Sequence, residues 1–319
     1  MSVVSRYLEP EVVQRLNALT LSGRRVVEGA VAGIHRSPVK GASVEFRQHR
    51  AYVAGDEPRR LDWRVLARTD RPYVREYDQE TNLRAVLVLD ASGSMAYGGR
   101  QEATGKWQAG EMKFQYAASV VASLAYLMLA QTESVGIAVS GTSGIDWSAP
   151  AAGTGQLARI IDVLERSTPR NETDLAKTVR DVAERVGRRS MIVVVSDFLA
   201  PVPALRTGFA RLAHAKHEAI ALRILHPDEV EFPFRNWCRF HGLEHEPARL
   251  VEPAMMRDNY LVAFRRHRDE LEQTCRSLAV EFHTLMTDRP MVDSLIAVLK
   301  HRSEKQIRDP RREIRTTLR

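Results

Sequence analysis

The chain has 319 residues, 44% of them hydrophobic and 27% charged, a balance that excludes a wholly disordered chain and suits one large domain with an accessory part, or two domains. Its formal charge is +7, but residues 300–319 carry eight basic side chains against three acidic ones, so most of the excess sits in a terminal tail. That tail lacks the aromatic platforms and reading helix of a specific nucleic-acid binder, and the expectation is a solvated terminus.

From the N-terminus, MSVVSRYLEPEVVQRL has no apolar signal-peptide core, and residues 9–19 predict a short helix. Residues 24–80 are rich in Arg, Gly and Asp. Their short alternating runs, 42–46 and 72–77, predict strands and loops of an accessory layer. Ala85 to Leu89 is a continuous apolar run ending in Asp90, the pattern of a strand buried on both faces. A Gly/Ser loop follows, then a predicted helix over 107–131. The apolar run inside it, Tyr116 to Ala130, is broken by Ser119 and Ser123 and is shorter than the ~20 residues that span a bilayer. A cytoplasmic protein without a membrane span is therefore expected.

Further strands are predicted over 135–139, 191–195, 219–225 and 280–285. Helices are predicted over 155–166, 174–186, 204–215, 253–278 and 291–301. Alternation of this kind predicts an α/β fold, a doubly wound and mostly parallel sheet with helices on both faces. The expected division is an accessory region over 1–80, the main domain over 81–302 with an irregular insertion at 226–252, and a basic tail over 303–319.

Asp90-Ala91-Ser92-Gly93-Ser94 follows the first buried strand, and Asp197 ends another. In doubly wound sheets ligands bind at the carboxyl ends of strands, near the point where strand order reverses. Two acidic groups sharing that crevice repel unless a cation lies between them. Two serine hydroxyls on a tight turn, with the Thr173 hydroxyl at the start of a helix, add hard oxygens that suit Mg²⁺ or Mn²⁺ and not zinc. The blander reading has Asp90 capping and the serines satisfying loop amides. The histidines show no metal spacing. Cys238 and Cys275 form no CxxC pair.

DASGS, a TDL-type threonine and a distant strand-ending aspartate resemble the metal-ion-dependent adhesion site of von Willebrand factor A domains. The resemblance implies that Ser92, Ser94 and Thr173 coordinate the ion directly and that Asp90 and Asp197 hold it largely through water. An open position would accept a partner's carboxylate. Val44-Glu45-Phe46, Arg50 to Asp56, Arg60-Leu61-Asp62-Trp63 and Ala67-Arg68-Thr69 narrow the likeness. They resemble a bacterial group known as domain of unknown function number 58, whose members often accompany MoxR-type AAA+ ATPases. That group implies a sheet order 3-2-1-4-5-6, no established catalysis, and a partnership with such an ATPase and a client protein.

The Arg/Asp-rich segment 50–64 is either a surface for that ATPase or an internal salt-bridge lattice. The lattice is favoured, with Trp63 packed. Two other functions compete with this reading. A metal-dependent hydrolase or phosphatase using Asp90 wants a second carboxylate two residues on, where Ser92 stands. Polyanion binding would use the C-terminal tail.

Overall fold

The computed structural model describes residues 7–8, 10–22, 44–52, 61–79, 83–98, 113–141, 144–187, 189–244 and 246–307. The chain forms two compact units, residues 34–82 and the remainder. Helix α1 (Pro10–Ser22) belongs to the larger unit, with Leu16 fully buried in its core. The division expected at residue 80 assigned this helix to the accessory region. Its apolar face instead packs with the main-domain helices.

The smaller unit pairs β1 (Val44–Ala51) antiparallel with β2 (Tyr73–Gln79), with α2 (Trp63–Thr69) between them in sequence. Asp62 caps α2, its carboxylate accepting from the Arg64 and Val65 N–H groups at 3.0 and 3.3 Å. Trp63, expected to be packed, is 64% exposed on the first turn of that short helix, which buries none of its residues. Gly55, Asp56 and Arg60, the rest of the proposed lattice, lie outside the described residues.

The larger unit continues with β3 (Arg84–Asp90), α3 (Lys113–Ala130), β4 (Ser134–Gly141), β5 (Gly144–Ala151), α4 (Thr154–Arg166), α5 (Leu175–Arg185), β6 (Met191–Ser196), α6 (Val202–His214) and β7 (Glu218–Leu225). After these come α7 (Pro227–Glu231), β8 (Cys238–Phe240), β9 (Arg249–Val251), α8 (Pro253–Ser277), β10 (Glu281–Met286) and α9 (Met291–Ile307). The main sheet has the order β10-β7-β6-β3-β4-β5. Counted from β3, that is the expected 3-2-1-4-5-6. All neighbours are parallel except the β4/β5 pair.

β3 and β6 hold the centre because Val, Leu and Ile fill both of their faces, one side packing under α3 and α4 and the other under α5 and α6. Each such buried side chain contributes roughly 1.5–3 kcal/mol of transfer free energy.

Helix α3 is apolar nearly all round. By length and composition it could cross a membrane, but it is largely buried within the unit. Residues 107–112 of the expected helix lie outside the described residues.

The antiparallel edge strand β5 is not among the expected elements. It is only half-buried and carries Pro150 one residue before its end, tolerable at an edge. It lies so close to β4 that a Cβ on Gly136 would stand 2.7 Å from both Pro150 N and Ser148 O. The pairing register shifts there, between Val135 and Ile137.

The insertion expected to be irregular over 226–252 contains α7 and the two-stranded β8/β9 ribbon. Residues 303–307 of the expected basic tail are helical. α9 runs to Ile307, and buried Arg302 is ion-paired with Glu281 at 2.7 Å and with Glu218. Cys238 and Cys275 are free thiols.

Candidate metal centre

β3 and β6 are neighbours, so their carboxyl ends bring Asp90 and Asp197 to one rim of the sheet. Asp90 is almost wholly buried. Its Oδ1 accepts from Ser92 N, Ser140 Oγ and Thr173 Oγ1, each at 3.0 Å, and its Oδ2 accepts from Ser196 Oγ at 2.7 Å. Burial, then repulsion from Asp197, pushes the Asp90 pKa up, and the hydrogen bonds from Ser196, Ser92 and Thr173 oppose that rise.

Ser92 and Ser94 lie on the short 3-10 turn Gly93–Ala96, with their hydroxyl oxygens 3.1 Å apart. Thr173 precedes Asp174, whose carboxylate caps α5 by accepting from Lys177 N at 2.7 Å. Two backbone bonds join the turn to the segment before Thr173: Gly93 N to Asn171 O at 2.7 Å and Arg170 N to Ala91 O at 3.0 Å. A hydroxyl that donates its proton to a carboxylate keeps its lone pairs for a cation. Thr173 is in that state. Asp90 thus orients hydroxyl oxygens rather than presenting a free carboxylate.

Asp197 is 1% exposed. Its Oδ2 accepts from Lys113 Nζ at 2.6 Å and its Oδ1 from Leu199 N at 3.1 Å. The turn that follows holds Phe198 at φ 54°, a left-handed conformation costly for a bulky side chain. The Phe198 amide donates to Ser196 Oγ at 2.8 Å, and its ring packs near Phe209 and Phe282. This packing holds the strained turn and aims Asp197 into the rim.

Lys113, at the start of α3, also donates to Glu229 Oε1 at 2.8 Å. Burial works against its charge, but Asp197 and Glu229 outweigh burial and its pKa is raised. Glu229 Oε2 accepts from the His226 amide, closing a capping box on α7. Behind Asp197, Arg223 is fully buried. Its Nε donates to the Asp197 carbonyl at 3.2 Å, and its guanidinium lies 5.0 Å from the Phe264 ring centroid.

Glu244 comes from the insertion. Its Oε1 accepts from the Ser94 amide at 3.0 Å. A cavity of about 790 Å³ opens alongside, lined among others by Ala96, Tyr97, His226, Phe240 and Leu243.

The five expected residues therefore meet at one rim: Asp90, Ser92, Ser94 and Thr173 through direct or shared hydrogen bonds, and Asp197 directly after the adjoining strand. Sequence reasoning missed Ser140, Ser196, Lys113, Glu229 and Glu244. Of these, Lys113 left a signal, since it is the sole charged residue in an otherwise uncharged α3. No group of three or more His, Cys, Asp or Glu side chains with metal-holding geometry occurs among the described residues. A site built on hydroxyls does not require one.

The donor chemistry fits a hard divalent cation. Every candidate ligand is a hard oxygen, Asp90 and Asp197 close neighbouring strands with Glu244 at the Ser94 amide, and the Lys113 ammonium offsets part of the Asp197 charge.

The family model described as "Protein of unknown function DUF58" matches residues 48–270. Uncharacterized proteins of Mycobacterium bovis and Mycobacterium tuberculosis are 27% identical over 301 residues, 92% of this chain and 90% of theirs. A Mycobacterium avium protein, also uncharacterized, is 31% identical over 147 residues, 46% of this chain and 86% of its own. Among solved structures, BatB from Bacteroides thetaiotaomicron superposes with a TM-score of 0.41 at 14% identity, covering 71% of this chain and 100% of that one. The SpRpn10 VWA domain superposes with a TM-score of 0.38 at 9% identity, covering 68% and 94%. Both superpositions are loose.

Proposed function

Since the chain belongs to the DUF58 family of proteins of unknown function, and since its strand-end rim gathers Ser92, Ser94 and Thr173 between two aspartates, we propose that it is a non-catalytic, metal-dependent protein-interaction module. Ser92, Ser94 and Thr173 would hold Mg²⁺ or Mn²⁺, with Asp90 and Asp197 supplying the negative field. The bound ion would supply a Lewis-acidic position for a carboxylate. Asp90 fixes the Thr173 hydroxyl and the Ser92 amide through its hydrogen bonds and stays out of the solvent.

The partner we infer is a MoxR-type AAA+ ATPase, together with a client protein that offers the carboxylate. This inference rests on the likeness to the family. The work of the pair would be protein assembly or remodelling in the cytoplasm. Burial of α3 within the larger unit supports reading it as a core helix rather than a membrane span.

The observation that carries the metal reading is the Thr173 hydroxyl held on the buried Asp90 carboxylate, which also anchors the Ser92 amide of the turn where the Ser92 and Ser94 hydroxyls meet. The same observation weighs against a nucleophilic Asp90. Both of its oxygens accept hydrogen bonds, and the residue two positions on is a serine, unable to act as an acid at neutral pH.

Titration calorimetry of chelator-treated protein with Mg²⁺ and Mn²⁺ tests the reading. Binding by the wild type that is lost in Ser92→Ala/Ser94→Ala supports it, and ATPase capture that depends on the ion extends it. Absence of binding at millimolar metal overturns it.

A further inference from the structure

The insertion at 226–252 reaches the metal centre twice, through Glu229 to Lys113 and through Glu244 to the Ser94 amide. The second contact is built in. A Cβ on Gly93 would stand 2.1 Å from the Leu243 carbonyl oxygen and 2.8 Å from Glu244 Cγ, so the loop rests directly on the glycine of the DASGS turn. The Glu244 amide in turn donates to Glu246 Oε2 at 3.1 Å, a local bond that shapes the loop. Gly242 supports the same bend, since a Cβ there would stand 2.4 Å from the Glu246 carbonyl oxygen.

A carboxylate so held is in unfavourable company. Asp90 and Asp197 close neighbouring strands at the same rim, and their negative charges repel a third carboxylate brought there. The buried Lys113 ammonium does not answer that charge, being already shared between Asp197 and Glu229. The repulsion vanishes once a divalent cation lies among the three carboxylates.

We propose that Glu244 is the chain's own ligand for the metal ion, filling in cis the position that a partner's carboxylate would otherwise take. This rests on the metal reading given above. Binding of a partner then becomes an exchange of one carboxylate for another. The exchange is feasible because Leu243 lines the adjoining cavity and is itself partly exposed, which leaves the loop room to withdraw. A partner would have to offer a better placed acidic side chain, and adventitious acidic surfaces would be turned away.

The test uses the full chain with Mn²⁺ as probe. Affinity is read from the electron paramagnetic resonance signal of free Mn²⁺, and the number of exchangeable waters on the bound ion from water-proton relaxation. Circular dichroism checks that each variant is folded. Glu244→Gln should weaken Mn²⁺ binding roughly tenfold, and relaxation per bound ion should rise as water replaces the lost carboxylate oxygen. Gly93→Ala, which forces the loop away without touching any charge, should raise relaxation in the same way.

Weaker binding of Glu244→Gln with unchanged relaxation in both variants would mean that Glu244 acts through its field alone, and would overturn the proposal. Unchanged or tighter binding of Glu244→Gln would also overturn it. If the wild type takes up Mn²⁺ and Ser92→Ala/Ser94→Ala does not, only the role of Glu244 is refuted by those results. If the wild type takes up none, the metal reading fails and Glu244 with it.

Discussion

Lys113 Nζ lies 2.6 Å from Asp197 Oδ2, and neither side chain has appreciable access to solvent. The pair is buried at the point where the proposed ion needs negative charge, so the ammonium serves as an internal counter-ion for a rim that would otherwise be strongly acidic. Glu229 shares the same ammonium at 2.8 Å and ties the pair to the insertion.

Removing that ammonium exposes its role. Lys113→Met should destabilise the metal-free protein by about 3–5 kcal/mol, because two buried carboxylates lose their compensation. Urea unfolding in the presence of chelator measures this. Added Mg²⁺ should restore more stability to the variant than it adds to the wild type. Equal gains in the two proteins would mean that the ion does not compensate Asp197.

The acidic rim also sets a pH dependence. Asp90 and Glu244 have folded-state pKa values raised above their ordinary 3.8 and 4.5, by burial first and by neighbouring carboxylates second. A carboxyl raised in this way favours the protonated fold. Its contribution is complete below the ordinary value and is lost as pH rises through the raised one. Metal-free protein should therefore lose stability as pH rises from the ordinary carboxyl values through the raised ones, and Asp90→Asn should reduce that slope. Unfolding free energies across a pH series with chelator check this. A slope identical in wild type and variant would remove Asp90 as its source.

At the sheet edge, Gly136→Ala should push β5 from β4. The obstructing atoms are backbone, Ser148 O and Pro150 N, so no side chain can swing aside. The cost is about 1–3 kcal/mol. Amide exchange in residues 144–151 should accelerate while exchange in β3 and β6 stays slow.

The two thiols should separate kinetically. Burial, with Glu272 adding to it, pushes the Cys275 pKa up to about 12, so its reactive thiolate is scarce as well as inaccessible. Cys238 is only half-buried. Ellman's reagent should titrate one thiol quickly and the other only as the protein unfolds. Two fast thiols would contradict the packing of α8 on α6 and β10.

Much of this architecture is readable in the chain because its signals are local. The runs at 85–89 and 191–195 are too apolar for any but central strands, and Asp90 and Asp197 mark their ends. The DASGS turn and Thr173 carry their chemistry in their spacing. β5 was illegible because a half-buried edge strand containing Gly144 and Pro150 looks like a loop until β4 pairs with it. Glu244 and Glu229 were illegible for another reason. They reach Ser94 and Lys113 across 150 and 116 residues, and no periodicity announces such contacts. Trp63 misled because a tryptophan is usually packed, whereas α2 is too short to bury one.

The rim draws on β3, α3, the approach to α5, β6, α7 and the loop after β8, in that chain order. A nascent chain that has not yet extended past Glu244 cannot contain the whole constellation, however well its first strands have formed. The contacts of Glu229 with Lys113 and of Glu244 with Ser94 thus come late in synthesis, after the strands that carry Asp90 and Asp197 have already been made.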